Sequence, residues 1–252
     1  MSVGSNEKRK TQKIAVAYGD DYLSWKKWGG ENFGKLRKTD KAYYGVEIKR
    51  IGSRIARNSK VLEIGFGNGG FLRFARDRGW VILGTEVNEE LVKAAKEQGY
   101  GAFKCEDVSG FEDNEFDLVV AFDVIEHIPQ HELLGFFLDV RRILKDKGHF
   151  IARFPNGDSP LGLPYQNGDV THVTTIGSGK ATYFAQKANM EVVFLGGEAQ
   201  PIVGTSFVHF VHRIVAVPTK RVINFIVKNI WFPRSNVEFC ASNLTLIYRA
   251  RK

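Results

Sequence analysis

Apolar residues fall along this chain in two kinds of block, and their alternation sets the expected architecture. Residues 60–65, Val81–Thr85, Phe116–Phe122 and His149–Phe154 are short apolar runs of the kind that form strands buried on both faces. Between them the period lengthens. Tyr44, Ile48, Ile51 and Ile55 predict a helix from Thr39 on, and Phe71, Leu72 and Ala75 predict one that closes at Gly79. Asn88 is placed to cap a further helix, with Glu89 and Glu90 in its first turn and Gly99 past its end. Leu133, Phe137, Val140 and Leu144 give one more helical face, and "GKATYFAQKAN" another helix. Strand–helix alternation of this kind predicts an α/β fold, a mostly parallel sheet with helices on both faces.

Composition narrows the setting. The chain has 252 residues, long enough for one sizeable domain with elaborations, and its 43% hydrophobic and 25% charged residues are ordinary for a globular protein. Two cysteines, Cys105 and Cys240, form no metal spacing and no disulfide framework, so a reducing cytoplasm is expected. Residues 1–13 are polar and basic without an apolar run, so they read as a disordered tail and not as a signal peptide. Ala15–Gly34 is rich in aromatics and glycine. Residues 1–34 are therefore taken as a basic tail and aromatic cap, and 35–252 as the main domain. The net charge of +8 asks for an anionic partner: nucleic acid, a membrane surface or a phosphorylated substrate.

Chemistry enters at "VLEIGFGNGG", Val61–Gly70, where the first strand ends in an acid and turns glycine-rich. Gly65, Gly67 and Gly70 satisfy the dinucleotide pattern G-x-G-x-x-G. Glu63, Gly65, Gly67 and Gly69 also satisfy E-x-G-x-G-x-G, the loop of S-adenosylmethionine methyltransferases. A pyrophosphate would be opposed by Glu63, whereas a sulfonium and an ammonium would be favoured by it. Glu86 ends the second strand about twenty residues past the loop, where a carboxylate can accept from ribose hydroxyls. Asp107, preferred over Glu106, and the Val108 N–H follow the third strand and are placed to meet an adenine.

With "TEVN", "FDLVV" and "FDVIEHI" in order after the glycine loop, residues 58–155 resemble the class I S-adenosylmethionine-dependent methyltransferases. The resemblance implies a Rossmann-like, seven-stranded sheet whose last strand is antiparallel, and "NLTLIYRA", Asn243–Ala250, suits that strand. It implies a cofactor site in which Gly65, Phe66, Gly67, Asn68 and Gly69 cradle the amino-acid part. Glu86 would hold the ribose beside Val87 and Asn88, and Phe122 and Asp123 would line the methionine side. Trp28, with Tyr22 and Trp25, would belong to a cap over the cofactor, or else to a hydrophobic plug beneath the helix that follows.

The downstream half, "RFPNGDSPLG" through "GDVTH", resembles methyltransferases of bacterial surface-polysaccharide clusters. That implies oxygen methylation of a sugar hydroxyl on a glycan, sugar nucleotide or lipid-linked precursor. His127 and His172 are the candidate general bases, since histidine alone changes charge near neutrality without a large shift. No metal is assigned to this reading. A rival reading takes Glu126, His127 and His172 as the divalent-metal site of a small-RNA 3′-end methyltransferase, with Asp123 where that family has a Glu. A third is a non-catalytic S-adenosylmethionine-binding protein. Residues 205–235 form a basic amphipathic insertion fit for an anionic membrane interface, for packing on the sheet as a helix pair, or for a homodimer contact. The placement expected is cytoplasmic, with peripheral attachment to the inner face of the membrane as an extension.

Overall fold

The computed structural model describes residues 20–105, 107–204, 206–235 and 237–252; the expected tail at 1–13 and Glu106 lie outside them. Seven strands form one sheet in the order β3-β2-β1-β4-β5-β7-β6. They are β1 (Lys60–Ile64), β2 (Val81–Glu86), β3 (Gly101–Lys104), β4 (Phe116–Phe122), β5 (Leu144–Pro155), β6 (Met190–Gly197) and β7 (Asn243–Ala250). The first five pair in parallel, and β7 runs antiparallel between β5 and β6. The helices are α1 (Asp20–Lys26), α2 (Lys38–Lys49), α3 (Gly70–Arg76), α4 (Glu89–Glu97), α5 (Leu133–Ile143), α6 (Leu163–Gln166), α7 (Ser178–Lys187) and α8 (Phe207–Trp231). This is the Rossmann-like α/β class expected, with its antiparallel last strand at the residues expected.

Continuous apolar strands are explained by two cores, one on each face of the sheet. Along β4, Leu118 and Val120 join Phe71, Leu72 and Leu91 on one face, while Val119 and Ala121 join Phe137, Val140 and Phe184 on the other. Period-2 geometry thus makes successive positions of the central strand β4 core positions on alternate faces.

Two boundaries differ from expectation. Leu144 opens β5 and does not close the preceding helix, and the register slips between Phe116↔Leu144 and Leu118↔His149. The polar residues 145–147 bulge out there, with Lys147 at φ 63, which hides the strand from a search for apolar runs. Helix α2 stops at Lys49, so Ile51 and Ile55 continue its spacing outside it. Residues 207–231 form one continuous helix through Pro218 with no buried residue, so the helix pair packed on the sheet does not occur.

Glu47 on α2 is fully buried and accepts from Ala199 N (2.7 Å), Thr245 Oγ1 (2.9 Å) and Arg50 Nη1 (2.9 Å). One carboxylate thereby ties a helix to β7 and to the chain leaving β6.

Candidate active site

The carboxyl ends of β1, β4 and β5 open into a cavity of about 1460 Å³, which the segment around α1 and one side of α8 also line. Gly65, Gly67 and Gly69 all have positive φ, so the loop after β1 takes a path that favours glycine. A Cβ at Gly69 would lie 2.7 Å from the Phe33 ring, and one at Gly67 would lie 3.0 Å from Trp28. Glycine is needed here because the aromatic cap rests directly on the loop.

Glu63 lines the cavity at 4% exposure, and its Oε2 has no hydrogen-bond partner. Burial, and then the nearby Glu86, push its carboxyl well above the usual range. A cation beside it would reverse both effects. Glu86, also buried, accepts from Gly67 N (2.9 Å), Val87 N (2.8 Å) and Asn88 N (3.2 Å), so it braces the loop from the neighbouring strand. The Asn88 side chain caps α4 by accepting from Glu90 N and Leu91 N.

Not all expected cofactor residues converge. Glu63, Gly65, Phe66, Gly67, Asn68, Phe122, Asp123 and Trp28 share the cavity lining, whereas Gly69, Glu86, Val87, Asn88, Asp107 and Val108 do not contribute to it. Asp107 is exposed and accepts from Ser109 N and Oγ; Val108 is buried in the core.

Asn68 has a role its motif position did not reveal. Its Oδ1 accepts from Gly29 N (2.9 Å), its Nδ2 donates to Asn32 O (2.8 Å), and its carbonyl accepts from Gly34 N (2.8 Å). The cap is thus stapled to the glycine loop. Its far side is tied down as well: Lys26 Nζ lies 2.8 Å from Asp169 Oδ2, and Tyr22 Oη donates to the same oxygen.

Across the cavity, Asp123 (φ 57) is held in a forked pair by Arg153, with Nε 2.8 Å from Oδ1. The Asp123 charge is therefore already met. Beyond it, the loop after β5 folds back so that Val173 N and Thr174 N donate to the Glu126 carbonyl. This brings His172 against His127, with ring centroids 4.6 Å apart.

His127 Nδ1 faces Thr171 O (3.2 Å), and His172 Nδ1 faces Gln166 O (3.1 Å). A carbonyl can only accept, so these bonds put a proton on Nδ1 of both rings, and in the neutral form of either ring the lone pair is then on Nε2. His172 Nε2 is 3.8 Å from Glu126 Oε1 and 3.9 Å from Asp169 Oδ2. Glu126 is 1% exposed, neither of its carboxylate oxygens has a hydrogen bond, and burial then Asp123 push it well above its usual range. Burial, then His172, lower His127 to about 4. Burial would raise Asp169, but Lys26 and Thr171 hold it low.

Both expected bases thus meet in one place. Sequence reasoning missed Asp169 and Arg153, and it weighed Glu126 only for the metal-site rival. The available signal for Asp169 was its spacing of three residues from His172 in "GDVTH".

Residues 62–152 match the family model described as a methyltransferase domain. An uncharacterised protein of Methanocaldococcus jannaschii is 35% identical over 101 residues, which are 39% of this chain and 42% of that protein. The chain therefore spans about two fifths of the curated relative it matches. A SAM-dependent methyltransferase from Archaeoglobus fulgidus superposes with a TM-score of 0.63 at 19% identity, covering 92% of this chain and 100% of the other. An S-adenosylmethionine-dependent methyltransferase from Mesorhizobium loti gives 0.58 at 15% identity, over 82% and 97% of the two chains. Residues 62–152 thus match a methyltransferase domain, for which S-adenosylmethionine is the implied cofactor, and the solved structures share the fold. The orphaned Glu63 oxygen and the glycine cradle fit a cationic ligand of that type. The matched segment stops at Ala152, before the loop that carries Asp169 and His172.

Proposed function

We propose that this protein is an O-methyltransferase acting on a sugar hydroxyl of a glycan or glycan precursor, with a histidine as general base. The observation that carries the proposal is the edge contact of two histidine rings in the wall of the cavity that holds the glycine cradle, with His172 Nε2 next to Asp169 and Glu126.

When bound, the cofactor supplies the activated methyl group. The chain's own work is to hold an acceptor hydroxyl in line and take its proton. His172 suits the proton-accepting role, because the ionised Asp169 faces its Nε2 and stabilises the imidazolium that forms. His127, neutral down to about pH 4, accepts a hydrogen bond from the acceptor and orients it. The cavity exceeds the roughly 300–1,000 Å³ of an ordinary small-ligand site, leaving room for a bulky acceptor. Half-exposed Trp25 and Tyr165 on its wall offer apolar faces among polar side chains, the mixed surface that sugar rings present.

The metal-assisted reading, with RNA as acceptor, is favoured by one observation: single ligand atoms of Glu126, His127 and His172 all lie within 4.8 Å of one another. A plain binding protein would hold the cofactor and yield no methylated product. Kinetics separate the three. His172→Ala should lower turnover by roughly 10²–10⁴-fold with cofactor affinity by calorimetry near wild type, and activity should survive a chelator. Full turnover in both His172→Ala and His127→Ala sinks the histidine base. Loss of activity to a chelator, restored by a divalent cation, selects the metal reading, and the methylated product tells sugar from RNA.

A further inference from the structure

We propose that the outward face of α8 docks this protein on an anionic lipid surface. The helix is inverted relative to an ordinary amphipathic surface helix. Its half-buried positions, Arg213, Ala216, Val217, Lys220, Asn224 and Val227, recur at helical spacing and mark the face turned to the domain. That face is held by polar contacts: Arg213 Nη1 donates to Pro201 O (2.6 Å), and Asn224 accepts from Cys240 N (2.7 Å) and donates to Glu238 Oε2 (2.6 Å). The opposite stripe is apolar and open. Phe207, Val211, Val215, Val222 and Phe225 are 50–78% exposed.

Charge identifies the occupant. From Ser206 to Ser235 the ionised side chains are Arg213, Lys220, Arg221, Lys228 and Arg234, with no Asp or Glu among them. Arg221 and Lys228, seven residues apart, lie along one edge of the apolar stripe. In a two-fold pairing of this face with a second copy, each cation would meet only cations or apolar groups. Acidic headgroups meet the cations while the acyl boundary takes the rings. The helix is about 38 Å long, yet no helix among the described residues is long and apolar enough to cross a membrane. It lies on the surface and does not span it.

The same helix walls the active-site cavity, through His209, His212, Arg213 and Lys220. A docked α8 therefore holds the cavity beside the lipid, with cations ready for a phosphate or pyrophosphate. This selects a lipid-linked anionic acceptor among the glycan precursors, a step that rests on the proposed glycan reading; the docking itself does not.

The test is co-sedimentation of the full chain with phosphatidylcholine vesicles, with and without phosphatidylglycerol, at low and high salt. Binding is expected to the anionic vesicles at low salt, and to fall as salt screens the charges. Arg221→Ala with Lys228→Ala should lower the partition coefficient about thirtyfold, roughly fivefold per cation. Val222→Ser with Phe225→Ser should also weaken binding, while cofactor affinity by calorimetry stays unchanged. Absent binding to anionic vesicles, or equal binding to neutral ones, overturns the proposal. So does a concentration-dependent dimer that the Val222→Ser, Phe225→Ser pair dissolves. Methylation of a soluble sugar precursor without vesicle binding would discard the docking alone; vesicle binding without cofactor binding would discard the proposed function alone.

Discussion

Replacing Asn68 by Ala should loosen the cap without loosening the sheet. The substitution removes the Gly29 N–Oδ1 bond at 2.9 Å and the Nδ2–Asn32 O bond at 2.8 Å, and it spares the backbone bond from Gly34 N to residue 68. Leu23 and Phe33 remain buried against the core and still hold the segment. Two neutral hydrogen bonds contribute about 1 kcal/mol each, so cap opening becomes about 2 kcal/mol easier, close to thirtyfold in its equilibrium constant. Native-state hydrogen exchange reads this directly. The Gly29 amide should exchange about thirtyfold faster, the Gly34 amide should change less, and the β4 amides of Leu118–Val120 should not change. The cofactor dissociation constant should rise by no more than the same factor. An unchanged Gly29 rate would show that the staple does not hold the cap. Equal acceleration in β4 would show that Asn68 supports the whole domain instead.

Glu63→Gln should separate two quantities: cofactor affinity falls roughly 10–100-fold, from a lost charge-assisted contact worth about 1.5–3 kcal/mol, while urea stability stays level or rises because a buried carboxyl whose ionisation is disfavoured by burial and by Glu86 is replaced by a neutral amide. Calorimetry with unchanged cofactor affinity would remove Glu63 from the site. Glu47→Ala leaves the Ala199 amide and the Thr245 hydroxyl buried without their acceptor, and it should cost about 3 kcal/mol or more in urea unfolding; a loss below about 1 kcal/mol contradicts that network. His149, opposite Arg249 in the β5–β7 ladder, is lowered by burial and then by that arginine. Below about pH 6.5 the unfolded chain therefore takes up a proton that the folded chain declines, and stability falls as pH drops towards the folded value. His149→Gln should flatten that slope between about pH 7.5 and about pH 5.5; an equally steep slope would place the acid sensitivity elsewhere.

Much of the sheet is legible because doubly buried strands must be apolar at nearly every position, and Phe116–Phe122 falls where the pattern puts it, while Asn243–Ala250 falls where the family resemblance implies the last strand. The glycine loop is legible for a similar reason, since its positive φ values leave few other residues suitable. What escapes is chemistry made by backbone atoms and loop return. His172 reaches His127 only because Val173 and Thr174 hydrogen-bond to the Glu126 carbonyl, and a carbonyl carries no sequence signature. Asn68 looks like one more loop residue until the cap lies against it. In α8 the helical period is plain, but composition alone does not say which stripe faces inward, and here a partly polar stripe does. Glu47 looks like a surface acid beside Lys49 and Arg50, and its burial depends on β7.

That dependence bears on how the protein is made. Strand β7 is seventh in chain order, yet it lies inside the sheet, and β6 has it as its sheet partner. As the polypeptide leaves the ribosome, β1 to β5 can zip together while β6 waits through 45 residues, Glu198 to Ser242, for residues 243–250 to emerge. During that interval the free edge of β5 and the apolar stripe of α8 are presented together, both capable of capturing another chain. The arrival of β7 closes the edge and, through Thr245, completes the partners of Glu47. Maturation thus turns on a single late insertion, and a nascent chain arrested before Asn243 would be the species that chaperones and proteases meet.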